Sequence, residues 1–176
     1  MFGKLFKRRG EDIAAAGLYT QCLKQSRLRV FYGGGKVDDS YSGRIDLLTL
    51  HMTVIMAAAQ KFGAEGRQLN QALYDVMVQD FNIAMREEGL ADTGIARRIK
   101  PMVSLFLERN KTYTESLLSG EALEPVLAKT ILADEADVAF TAALAQYVKS
   151  SYEAVKTLDI KALKTGQITF APFNPA

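Results

Sequence analysis

The chain has 176 residues, 48% hydrophobic and 24% charged, which is enough apolar material for the core of one domain and too little chain for two of ordinary size. Only four prolines and 9% aromatic residues give no sign of a β-sandwich or barrel, and a formal net charge of +2 leaves no electrostatic bias that would name a partner. The single cysteine, Cys22, cannot form an internal disulfide, as suits a reducing compartment.

The chain opens Met-Phe-Gly-Lys-Leu-Phe-Lys-Arg-Arg. Its apolar part, Phe2, Leu5 and Phe6, is too short for a secretory signal, and no small-residue cleavage site comes after it. The interleaved Lys4, Lys7, Arg8 and Arg9 have two readings: a weak anchor on an anionic membrane surface, and a frayed, soluble basic tail over residues 1–11. Beyond residue 11, apolar spacing is helical almost throughout. A first helix is expected over residues 12–28, before Gly33-Gly34-Gly35, which a helix interior tolerates poorly. A loop continues through Asp38, Asp39 and Ser40. A second helix spans residues 42–62. Its uncharged stretch, residues 47–60, is shorter than the roughly 18 residues a membrane span requires, so it reads as a buried core helix. A third spans 66–88, with Gly89 placed to end it.

Asp92 or Thr93 can cap the fourth helix. Pro101 should kink it or force a restart near Lys100, and Ser119-Gly120 stop it after residue 118. A short helix comes next, over 121–132. Asp134 is expected to cap a last long helix to about residue 164, with Asp159 as its breaking point, and Gly166 ends it. Residues 167–176, with two prolines and two phenylalanines, look extended. The expected fold is all-α: a single compact domain over residues 12–166, an irregular bundle of six to seven helices, between a basic N-terminal tail and an extended C-terminal one.

The common routes to catalysis find little support. One histidine cannot make a zinc cluster, and neither a phosphate-binding Walker loop nor a dinucleotide fingerprint is present. Haem ligation by His51 lacks a second ligand and an attachment motif. Cys22 lies within a helix, as buried structural thiols do. His51 and Asp80 each fall inside an apolar stripe, so each needs a partner. Asp80 is expected to find a basic or donor partner, with His51 and Arg44 the first candidates, as a polar pair that fixes helix register. Asp75, Gln79, Asn82 and Arg86 form a polar edge on the third helix, and Asp46, Thr49 and Thr53 a smaller one on the second. Both edges read as solvent-facing; the sharper reading joins the third helix's edge to the 92–100 turn as one docking face. Residues 92–111 carry five basic groups against two acidic ones, and residues 115–137 six acidic against one basic. That contrast can steer an encounter or be ordinary helix surface.

The wording of one stretch is more informative than its periodicity. Gln71-Ala72-Leu73-Tyr74-Asp75, then Asp80, then the run from Arg86 to Lys100 (REEGLADTGIARRIK) resembles the signature of the ubiquinol–cytochrome c chaperone family. Leu18-Tyr19, Phe31-Tyr32, Gly43-Arg44-Ile45-Asp46 and Leu50-His51 fall where that family has similar residues, so the resemblance runs from Leu18 to Tyr113. The sequence departs from the pattern at Pro101, where a basic residue is usual, at Glu88, Ala91 and Ala96, and at Asp38, where proline is common. Pro101 removes a charge from the basic turn and alters its geometry.

The resemblance implies a helical, non-catalytic, cofactor-free assembly factor for a cytochrome bc1-type complex. Its client would be newly made cytochrome b or another bc1 subunit, with the ribosome or a small helper subunit as further partners and no DNA. The N-terminus points to a bacterial protein, cytoplasmic or peripheral at the cytoplasmic face of the inner membrane; in a eukaryote the mitochondrial matrix would be the setting. Combined with the polar clustering, it nominates Asp46, Asp75, Arg86, Asp92, Arg97, Arg98 and Lys100 for partner binding, with Arg44, His51 and Asp80 as supporting polar groups. A different class of function stays open: a nucleic-acid- or ribosome-binding module using the basic 97–111 segment, although no recognised RNA- or DNA-binding motif is present.

Overall fold

A computed structural model of the chain describes residues 2–132 and 137–175, with side chains from Gly10 onward. Its elements there are helical: α1 (Phe2–Ser26), α2 (Tyr41–Ala59), α3 (Gly63–Glu87), α4 (Asp92–Ser119), α5 (Glu124–Thr130), α6 (Val138–Lys156) and α7 (Ile160–Leu163), with short 3-10 turns at Arg29–Phe31 and Gln60–Phe62. The all-α expectation holds.

The bundle is organised around α2. Every residue from 46 to 59 is buried, because α1, α3, α4 and α6 all pack against this helix. A helix covered on all sides can be apolar on all sides, which accounts for the uncharged 47–60 stretch. The α2–α3 corner depends on Gly66. A Cβ there would lie 1.9 Å from the Ala59 carbonyl oxygen, so only glycine lets α3 start this close to the end of α2.

Several element boundaries differ from expectation. Helix α1 starts at Phe2, not near residue 12; the side chains of Lys4, Lys7, Arg8 and Arg9 lie outside the described residues. Helix α4 runs through Pro101 without a restart. Pro101 has no N–H to offer the Arg97 carbonyl, yet Ile95 and Phe106 are buried on either side of it and anchor both halves of the helix. Asp134 lies outside the described residues; α6 is capped by Asp137, whose carboxylate accepts from the Ala139 amide at 2.8 Å. The break at Asp159 is realised, since its carboxylate accepts from the Ala162 amide at 2.7 Å and starts α7.

Asp80 has a donor partner, as expected, but it is neither His51 nor Arg44, and each of these pairs elsewhere. His51 Nδ1 is 2.7 Å from the Leu47 carbonyl and Nε2 is 2.8 Å from the Tyr147 hydroxyl on α6. A carbonyl only accepts, so Nδ1 carries the proton and the Tyr147 hydroxyl donates to Nε2. Burial pushes the His51 pKa down to about 4, against the opposing pull of the Leu47 carbonyl, and the ring is neutral. Asp80 instead accepts from the Tyr19 hydroxyl on α1 at 2.8 Å, and Arg44 Nε donates to Asp39 at 2.8 Å. The extended segment after Gly166 closes the region around His51. Phe170 meets the His51 ring edge-on at 5.0 Å between centroids, and Phe173 stacks on Phe31 at 4.6 Å.

The polar edge of α2 does not face solvent. Asp46, Thr49 and Thr53 are buried, and a polar seam joins α2 to α4. Thr53 Oγ1 lies 3.0 Å from the Asn110 side-chain oxygen. Arg109 Nε lies 3.9 Å from Asp46 Oδ1, too far for a hydrogen bond, and neither buried atom has another hydrogen-bond partner. Burial raises the Asp46 pKa to about 6, with Arg109 opposing.

Candidate functional site

The end of α3, the start of α4 and the first turn of α2 meet around an open groove. The chain reverses between α3 and α4 at Gly89, whose φ of +83° suits glycine. The Gly89 amide donates to the Arg86 carbonyl at 2.9 Å and the Leu90 amide to the Met85 carbonyl at 3.1 Å, which closes the end of α3. Opposite, Ser40 caps α2 by accepting from the Gly43 amide at 3.2 Å and so presents Tyr41 at the helix start.

The groove holds about 460 Å³ and is lined by Tyr41, Met85, Glu88, Arg97, Arg98, Pro101 and Met102. Its floor is apolar: Met85 is buried, Pro101 and Met102 come from α4, and the Tyr41 ring, 60% exposed, lies along one side. Its rim is charged, with Arg98 Nη1 at 3.5 Å from Glu88 Oε2. Burial, then the Glu88 charge, raises the pKa of the Tyr41 hydroxyl, and Arg98 opposes them. An exposed ion pair of this length contributes little and opens easily. Methionine side chains adapt to varied apolar surfaces, so a floor bearing two of them suits an apolar polypeptide segment.

The residues nominated from sequence divide into three groups. Arg97 and Arg98 line the groove, and Arg86 pairs with Asp92 at 2.8 Å across the α3–α4 turn beside it; Lys100 is exposed on the same stretch of α4. Asp75 stands apart. It accepts from Gln71 at 2.8 Å, and Gln71 borders a second groove of about 670 Å³ with Met56, Asn70, Tyr74 and Phe106. Asp46, His51, Asp80 and Arg44 are absent from the first groove's lining. The basic 97–111 segment is not one continuous strip: Arg98 faces Glu88, Arg109 turns into the buried seam and Lys111 lies 3.9 Å from Glu115. The apolar floor was not foreseen, because Met85 and Met102 sit at an ordinary helical spacing. The one available signal was Tyr41, an aromatic residue directly after a serine cap.

Among the described residues no group of three or more His, Cys, Asp or Glu side chains is placed to hold a metal ion, and no helix is long and apolar enough to cross a membrane. The chain belongs to the ubiquinol-cytochrome C chaperone family, which matches residues 35–170 and so takes in every residue of the groove. The match extends well past Tyr113, where the recognisable motifs end. Over its whole length the fold is similar to the crystal structure of the Cbp3 homolog from Brucella abortus, with a TM-score of 0.79, 24% identity and 98% of each chain covered. No curated protein matches the chain.

Proposed function

We propose that this protein assists assembly of a cytochrome bc1-type complex by holding an apolar segment of a newly made subunit, cytochrome b in the first instance, in the groove between α2, α3 and α4. The observation that carries this reading is the groove itself, an apolar floor of Tyr41, Met85, Pro101 and Met102 under Glu88, Arg97 and Arg98, in a member of a chaperone family. A membrane subunit presents apolar stretches flanked by charges before it is inserted and loaded with haem. The floor would cover the former and the rim would meet the latter. Covering apolar surface transiently requires no chemistry, so the protein acts here as a binder without catalysis or cofactor.

The test is site-specific crosslinking in cells from positions 41 and 97, with position 161 on α7 as the control. Capture of cytochrome b or another bc1 subunit from 41 and 97 alone supports the proposal. A chromosomal deletion that leaves haem b absorbance and bc1 content unchanged would sink it.

A further inference from the structure

A separate concave site shares the first turn of α2. Arg27, just after α1, Arg29, opening the 3-10 turn, and Arg44 of α2 line a pocket of about 490 Å³ together with Tyr32, Gly33 and Asp39. Arg44 is held in place from two directions. Its Nε donates to Asp39 at 2.8 Å, and its guanidinium carbon lies 5.9 Å from the centre of the Tyr32 ring. Tyr32 is itself fixed, since its hydroxyl donates to the Ser26 carbonyl at 2.5 Å. The two terminal nitrogens of Arg44 have no protein partner among the described residues, and neither Arg27 nor Arg29 forms an ion pair there. Three arginines and one aspartate therefore line one pocket.

We propose that this pocket is a binding site for a phosphate-class oxyanion. A carboxylate carries one charge and occupies one guanidinium fork. A phosphate group, with up to two charges and several terminal oxygens, can engage more than one fork and matches a pocket with two uncompensated cations. The anion can be free or the headgroup of a phospholipid. Leu28, between Arg27 and Arg29 in the sequence and 44% exposed, is an apolar side chain available to a bilayer surface if the headgroup is the source. The pocket stands whether or not the client groove and the assembly role do.

The test uses the full chain in two arms: titration with inorganic phosphate, and flotation with phosphatidylcholine vesicles with and without phosphatidylglycerol. Wild-type protein should bind at least one probe saturably. Arg44→Gln should weaken that binding about tenfold, as expected for the loss of a charge-assisted bidentate contact, and Arg44→Lys should not restore it. Lys161→Gln on α7 should bind like wild type. An effect of Arg44→Gln on flotation alone identifies the headgroup as source, and an effect on the phosphate titration identifies the free anion; either supports the site. Should Arg44→Gln fail to fold by circular dichroism, the exposed pair Arg27→Gln/Arg29→Gln carries the same test. Absence of saturable binding in both arms, or an equal loss in Lys161→Gln, overturns the proposal. So does arginine-dependent binding of an RNA oligonucleotide by a protein that binds neither phosphate nor vesicles.

Discussion

Burial acts on His51 and Asp46 in opposite directions, although they lie little more than a turn apart on the same helix. The His51 pKa falls from its ordinary 6.5 to about 4, so between those values the unfolded chain binds the extra proton and stability drops as pH is lowered. The Asp46 pKa rises from its ordinary 3.8 to about 6, so between those values the folded chain binds the extra proton and stability grows as pH is lowered. Each effect has a slope of about 1.4 kcal/mol per pH unit, and from pH 6 to 4 the two nearly cancel. Urea titrations across that range, referenced to the double variant His51→Gln/Asp46→Asn, should show this. Asp46→Asn alone should lose stability on acidification, His51→Gln alone should gain it, and the wild-type protein should track the double variant. Parallel profiles for the two single variants would refute the assignment. Sequence spacing marked His51 and Asp80 as polar groups inside apolar stripes, and both do have partners. The partners, Tyr147 and Tyr19, lie 96 and 61 residues away. A helical wheel drawn on one segment carries no record of contacts at that distance.

At the scale of elements, two positions in helices set local propensity against packing. Alanine is the better helix former at both, yet the expected outcomes have opposite signs. Gly66→Ala drives a Cβ into the Ala59 carbonyl and should cost about 1–3 kcal/mol despite the gain in propensity, read as a lower urea midpoint. Pro101→Ala returns a donor to the Arg97 carbonyl and should raise stability by about 1–3 kcal/mol. It also removes a ring from the groove floor, so crosslinking of the client from position 97 should fall as the melting temperature rises. Helix ends were the most legible feature of the sequence, because Gly63, Gly89 and Gly120 adopt φ values of +57°, +83° and +76° that other residues avoid. The burial of Asp46, Thr49 and Thr53 was not legible. Periodicity ranks the faces of α2 by polarity, but the least apolar face of a fully enclosed helix is still covered, here by α4. The groove was half legible for a related reason: its charged rim stands out in the sequence, while its methionines look like core.

For the molecule as a whole, the segment after Gly166 is part of the core. Phe170 is buried against His51, and the Ala171 amide, donating to Ser151 Oγ at 3.1 Å, ties the segment to α6. Phe170→Ala should therefore cost about 3 kcal/mol, and a guanidinium midpoint unchanged from wild type would show the segment to be dispensable. The enclosure of α2 has a further consequence, in time. The first helices, α1 to α3, can cover only part of it; α4 and α6 complete the cover, and α6 ends at residue 156. At ordinary translation rates of about 5–20 residues per second, roughly 5–20 seconds separate the synthesis of α2 from that of its last covering helix. During that interval the nascent chain carries fourteen consecutive uncharged residues without their full cover. A protein proposed to shelter unfinished membrane subunits is, while it is being made, in need of similar shelter.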